Sequence, residues 1–263
     1  MKRYHFPRLA LVAVGIPTLA AGMLGAASPR NLVAQVQASA DDTFIELNHP
    51  EGVRGTRAWS LNAQGDVIGS YDDANEVRHG FIWHDGRFTT IDHPDAGHGR
   101  PGPLGPQGTT LYDINRFGDI TGRYINRNHE AHSFVLRRGT FTPIDDPASP
   151  VGPGYGTQAD GINDAGDIVL HTQPGQRIFE AYLLRDGQFK KIADPHGVGG
   201  TVVNGINAAG IIVGEWLDGN GVSHGMVYCN GIFTTHDDPN AAGGLGTGLK
   251  KVQRRRRHSR LVH

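Results

Sequence analysis

The chain has 263 residues, 38 of them glycine and 19% charged, a length suited to one large all-β domain or two small ones. Its formal net charge of −1 conceals a split, because residues 41–249 hold all 26 acids but only 14 of the 25 basic residues, a net charge of −12. That balance excludes a nucleic-acid partner for the body, and a single cysteine, Cys229, excludes an internal disulfide.

Residues 1–40 carry Lys2, Arg3, Arg8 and Arg30 with no acid, around the uncharged run LALVAVGIPTLAAGMLGAA at 9–27. The small residues Ala38-Ser39-Ala40 then precede Asp41. This pattern predicts a signal peptide over 1–40, hence a secreted or periplasmic protein with no membrane span after cleavage. An uncleaved anchor is the alternative, since the run is just long enough to span, but Pro17 and the weak, Ala-rich hydrophobicity favour cleavage.

The body, 41–249, is a repeat. Gly55-Thr56 precedes Asn62, Gly108-Thr109 precedes Asn115, Gly156-Thr157 precedes Asn163 and Gly200-Thr201 precedes Asn207, while Gly246-Thr247 opens a fifth copy. From marker Asn to marker Pro the separation is 32 in every copy (62–94, 115–147, 163–195, 207–239), whereas the join to the next Gly-Thr varies as 14, 9, 5 and 7. Length variation is thus confined to one class of loop.

Within a copy, the residues after Gly-Thr are read as a first strand. Asn at the first and Gly at the fourth place of NAQG, NRFG, NDAG and NAAG suit a type I turn. A second strand follows with period-two patterning, as in Ile120, Gly122 and Tyr124 against Asp119, Thr121 and Arg123. A third strand, at 79–83 or 132–136, runs into Asp85-Gly86, Arg138-Gly139, Asp186-Gly187 or Asn230-Gly231, which are two-residue hairpin signals. The fourth carries Phe88, Phe141, Phe189 or Phe233. Four-stranded antiparallel meanders repeating every 44 to 53 residues predict an all-β, β-propeller-like fold of four full blades and a partial fifth. A flat β-solenoid is the alternative, and ring closure stays open. The stretch FIELNHP at 44–50 matches a fourth strand alone, which in a ring would complete the blade begun at Gly246. Where a turn and second strand would follow, the chain reads KVQRRRRHS, so 250–263 is predicted as a basic disordered tail, the end of a broken repeat.

The unit INxxGDIxGxY, then HGF or HSF, then xGxFxxIDxP, resembles the HAF-repeat family of extracellular repeat proteins over nearly all of 44–249. The matching tripeptides are His79-Gly80-Phe81, His132-Ser133-Phe134 and His224-Gly225-Met226; copy three departs with Glu180-Ala181-Tyr182. The resemblance implies an exported repeat protein without an established activity and carries over no catalytic residue.

Strand direction places the variable joins on one face with the loops between second and third strands, the usual binding face of repeat proteins. Tyr71, Tyr124 and Trp216 end their second strands there, and His79, His132 and His224 begin the third strands. The longest join, 95–107, adds His98 and Arg100. Beside Asp92, Asp145 and Asp237 these eight residues form a candidate site for a sugar or peptide, so the expected partner is an extracellular glycan or protein, bound by a monomer. The competing reading is structural: the aromatics pack between blades, and a His and an Asp once per blade tie strands together. No metal or cofactor is assigned, since 14 histidines show no HExxH spacing and the NxxGD turns lack the alternating acids of a calcium loop. GVSHG at 221–225 fits G-x-S-x-G, yet Ser223 aligns just before a strand, without the strand-to-helix turn that motif needs. No catalytic residue is assigned. The rival to a binding module is a propeller hydrolase or lyase acting on polysaccharide, with chemistry where copy three breaks symmetry, around His171, Arg177 and Glu180, and at the loop of His98.

Overall fold

The computed structural model describes residues 45–251 apart from 147–148, 150–151, 174–177, 240 and 242–245. The predicted signal peptide, most of the basic tail and Arg177 lie outside the described residues. The chain divides after Glu46, and every strand belongs to the part that starts at Leu47.

Among the described residues, sixteen strands form four units of four. Unit 1 holds β1 (Thr56–Leu61), β2 (Val67–Asp72), β3 (Arg78–His84) and β4 (Arg87–Ile91). Unit 2 holds β5 (Gly108–Ile114), β6 (Ile120–Ile125), β7 (Ala131–Arg137) and β8 (Thr140–Pro143). Unit 3 holds β9 (Gly156–Ile162), β10 (Ile168–Gln173), β11 (Glu180–Arg185) and β12 (Gln188–Ile192). Unit 4 holds β13 (Gly200–Ile206), β14 (Ile212–Leu217), β15 (Ser223–Cys229) and β16 (Ile232–Thr235). Within each unit the strands pair antiparallel in chain order, as the repeat predicts. No helix among the described residues is long and apolar enough to cross a membrane.

Side-chain chemistry closes both turns. Asn62 Oδ1 accepts from the amides of Gln64 and Asp66 at 3.0 Å each, and Asn115, Asn163 and Asn207 repeat the arrangement, so one carboxamide replaces missing ladder partners. The third-to-fourth-strand hairpins place both central residues at positive φ, from Asp85 at 46° and Gly86 at 84° to Asn230 at 49° and Gly231 at 90°. Two such residues match the right-handed twist of the strands.

Units join by one recurring contact. From the second Gly-Thr onward, its Gly makes a parallel bridge to the start of the third strand of the unit before it, or in unit 3 to the residue just ahead of that strand: Gly108 to Arg78, Gly156 to Ala131, Gly200 to Phe179 and Gly246 to Ser223. The Thr beside it accepts a hydrogen bond from the amide two or three residues after the preceding fourth strand, or its equivalent ahead of unit 1: His49, His93, Asp146, Asp194 and Asp238 bond Thr56, Thr109, Thr157, Thr201 and Thr247 at 2.9 to 3.4 Å. Gly246 to Lys251 therefore dock on unit 4 as a fifth first segment. Residues 45–49 form no strand, contrary to the fourth-strand reading of 44–50; they lead instead to His49, which caps unit 1 as His93 caps unit 2.

Apolar side chains fill the seams. One cluster joins Ile68 of unit 1 to Leu111, Ile120 and Phe134 of unit 2; another joins Val135 of unit 2 to Ala159, Ile168 and Leu170 of unit 3; a third joins Val169 and Ile192 of unit 3 to Val203, Ile212 and Met226 of unit 4. Phe141, Phe189 and Phe233 pack against these clusters, and Phe88 meets Phe81 edge-on at 5.2 Å. Each fully buried side chain of this size contributes roughly 1.5–3 kcal/mol. Because the next unit packs over the second strands of units 1 and 2, polar side chains there are buried as well: Ser70 and Thr121 are inaccessible.

Candidate functional site

Tyr71 and Tyr124 on the variable-loop face sit in identical sandwiches. His49 stacks on Tyr71 at 3.7 Å and His79 at 5.0 Å from the other side; His93 stacks on Tyr124 at 3.9 Å and His132 at 5.1 Å. Trp216 stacks on His224 at 4.0 Å, with His196 tilted at 5.6 Å, and its indole N–H donates to Thr235 Oγ1 at 3.2 Å. Tyr71 is 2% exposed, and its hydroxyl is engaged by Glu51 and Thr90. No ring face of Tyr71 is left for a ligand, so this residue is packing. Tyr124 and Trp216 are half-buried.

Each histidine of the third-strand column is tied to an acid at the end of the fourth strand: His79 Nδ1 to Asp92 at 2.7 Å, His132 to Asp145 at 2.7 Å and His224 to Asp237 at 2.8 Å. The second oxygen of Asp145 accepts the Ser133 amide and that of Asp237 the Gly225 amide, so these pairs staple third strand to fourth. In unit 3 both members change together. Glu180 replaces the histidine, Ala193 stands where the acid would be, and Glu180 turns to Lys191 and the Tyr182 hydroxyl. The hydrogen bonds to Asp92 and Asp145 raise the His79 and His132 pKa values above the ordinary imidazole value, whereas burial lowers those of His49 and His93. Burial also pushes the Tyr71 and Tyr124 hydroxyls up to about 12.

A depression opens at the seam of units 2 and 3 on this face, lined by Glu130, His132, Asp145, Ser149, Tyr155 and Thr157 among others. The carboxylates, imidazole and phenol there are hydrogen-bonding groups beside an aromatic edge. His98 and Arg100 are exposed on the 95–107 loop, away from that seam's lining. The loop is pinned over unit 2 by buried Gln107, whose Oε1 accepts the Gly99 amide at 2.6 Å and whose Nε2 donates to the Arg127 carbonyl at 3.3 Å.

Of the rival catalytic grouping, His171 and Glu180 stand apart, and Arg177 lies outside the described residues. His171 pairs with Ala181 across the ladder and Glu180 with Thr172, which puts the two side chains on opposite faces of the sheet. His171 is 4% exposed and bonds Asp160 at 2.7 Å. Ser223 opens β15 and bridges to Gly246, with no helix after it. Cys229 ends the same strand, half-buried. Among the described residues no three His, Cys, Asp or Glu side chains converge as a metal site.

One set of residues escaped the sequence reading. Each first strand carries a bulge, centred on Trp59, Tyr112, Asp160 and Asn204, and period-two patterning gives no sign of an extra residue. Beside the bulges, Asp113 gathers Ser60 Oγ of unit 1 at 2.6 Å, the Ile162 amide of unit 3 at 3.1 Å and Lys251 Nζ of the fifth segment at 2.6 Å. Asp113 stands out in the sequence as an acid without a counterpart in the other copies.

No family model and no curated protein matches the sequence. Among solved structures the chain is similar to a fungal lectin of Aleuria aurantia described as a six-bladed β-propeller with a novel fucose recognition mode, at 14% identity and a TM-score of 0.44, covering 71% of this chain and 61% of that one. A fucose-specific lectin preparation from the same organism gives 14% identity, a TM-score of 0.42 and coverage of 74% and 60%. AofleA from Arthrobotrys oligospora gives 15%, 0.42 and coverage of 68% and 55%. The chain spans about three-fifths of the length of these proteins.

Proposed function

We propose that the chain is an exported, non-catalytic, β-propeller-like repeat module that binds an extracellular glycan on its variable-loop face. Three features support the propeller-like arrangement. Every unit is a complete meander, every seam uses the same Gly-Thr joint, and first segments of units 1, 3 and 5 all reach the Asp113 carboxylate of unit 2. A row of sheets whose first strands return to one carboxylate curves around an axis. Export rests on the basic, then apolar, then small-residue order of 1–40.

The observation that carries the binding reading is the depression between units 2 and 3, where Glu130, His132, Asp145 and Tyr155 share one rim. Sugars are held by this mixture, with carboxylates and imidazoles taking hydroxyls and an aromatic ring stacking on the apolar face of the sugar. The test is a glycan array probed with the mature protein, alongside Tyr155→Ala and Glu130→Gln. Binding that falls at least tenfold in both variants, with glycan recovered intact, is the expected result. Release of new reducing ends would install the hydrolase or lyase reading instead, and unchanged binding by both variants would move the site elsewhere.

A further inference from the structure

The bulge residues of the first strands each have a companion on the neighbouring second strand. In unit 1 the Trp59 indole donates to Ser70 at 3.2 Å; in unit 3 Asp160 holds His171 at 2.7 Å. In unit 4 the companion, Glu215, reaches across the seam to Lys250 of the fifth segment at 3.8 Å. Unit 2 alone is unmatched. Its companion is Arg123, 9% exposed, whose guanidinium carbon lies 6.0 Å from the Tyr112 ring centroid and whose Nε has no hydrogen-bond partner among the described residues. Directly across the ladder, the inaccessible Ser133 Oγ has none either.

The repeat says what ought to stand there. Lys250 occupies the fifth-segment position that Asp160 occupies in unit 3, so Asp160 is the counterion expected opposite Arg123, with the charges of the Glu215–Lys250 pair reversed. Asp160 faces its own unit instead: Oδ2 engages His171 and Oδ1 accepts from Gln158 Nε2 at 2.7 Å. Arg123 is left as a buried cation without its acid, a costly arrangement unless something else supplies the anion.

We infer that the inner seam of units 2 and 3 is a binding site for a small carboxylate-bearing ligand, received by the Arg123 guanidinium beside Tyr112 and Gln158. The guanidinium fork matches a carboxylate, and a single cation next to Asp160 suits a monoanion rather than a phosphate dianion. Tyr112 and Gln158 are partly exposed, and the Trp59 ring, 45% exposed, stands 5.7 Å from Tyr112 as an aromatic rim. Tyr112 donates to Gln158 Oε1 at 3.2 Å, which fixes that rim across the seam. This site does not depend on the glycan depression.

The test is calorimetric titration of the mature protein with sodium galacturonate, its neutral methyl ester and sodium acetate, repeated on Arg123→Gln and Arg123→Met. The expected result is binding of galacturonate at least tenfold tighter than of the ester and at least tenfold loss in both variants. Acetate binding identifies a general carboxylate site; galacturonate binding alone identifies an acidic sugar, and either supports the inference. Without ligand, Arg123→Met is expected to melt at or above the parent temperature, because it removes an uncompensated charge. Equal affinity for acid and ester, or an Arg123→Met protein that binds no less tightly or melts lower than the parent, would overturn it.

Discussion

A single hydroxyl explains the Thr of each Gly-Thr mark. It accepts the amide of the residue just before the marker proline or its equivalent, over chain separations of 7, 16, 11, 7 and 9 residues. The mark was legible in the sequence because it recurs at fixed distance from Asn; its partner was hidden because the intervening join varies. Thr109→Val keeps the shape and leaves the His93 amide unsatisfied, so urea unfolding should show a loss of about 1–3 kcal/mol. The Gly beside it answers to two constraints that separate cleanly. A Cβ at Gly108, where φ is 118°, would lie 1.9 Å from the Arg78 carbonyl, whereas a Cβ at Gly55, where φ is 125°, meets nothing within 4 Å. Gly108→Ala should therefore destabilise far more than Gly55→Ala, which carries only the dihedral strain of about 1–2 kcal/mol. Equal melting temperatures for the two variants would mean that the seam does not require that close approach.

Within a sheet, the stacked imidazoles on either side of Tyr71 and Tyr124 have opposite proton preferences. His79 and His132, raised by their acids, lend stability that is complete below the unfolded value of 6.5 and fades as pH climbs through their folded values. His49 and His93, lowered by burial, lend stability that is present above 6.5 and is lost as pH falls through their folded values. The melting temperature should peak near neutrality, and imidazole NMR should find His79 and His132 titrating above His49 and His93. Asp145→Asn should bring His132 down; an unmoved His132 would show that the acid does not set its proton affinity. The third sheet offers a complementary check. Glu180→His alone should destabilise by breaking the Lys191 and Tyr182 contacts, and adding Ala193→Asp should restore part of that loss in a double-mutant cycle. Strand order and both turn types were readable from Asn, Gly and Asp-Gly spacing. The sandwiches were not, because half of each comes from the preceding repeat, and neither were the bulges, because an extra residue inside a six- or seven-residue strand leaves composition unchanged.

At the scale of the molecule, the linear reading of four identical cassettes misses what joins distant ones. Asp113 draws on units 1, 3 and 5 at once, and only its oddity within the NxxGD register hinted at a special role. Asp113→Ala leaves a hydroxyl, an amide and an ammonium without their acceptor. Its loss should reach about 3–5 kcal/mol, and hydrogen exchange should change from one cooperative opening to sheet-by-sheet opening. One transition in the variant would show that the seams alone hold the array together. The first sheet differs from the others in its cover: β1 is mostly exposed where β5, β9 and β13 are mostly buried, and Trp59 and Leu61 are 45% and 43% accessible. The cap on each sheet has a separate consequence, since it is encoded upstream of the sheet's own Gly-Thr. Dissection of the array into autonomous pieces must respect that phase: a fragment starting at His93 carries both the roof and the floor of its sheet, whereas one starting at Gly108, the visible repeat boundary, is born roofless.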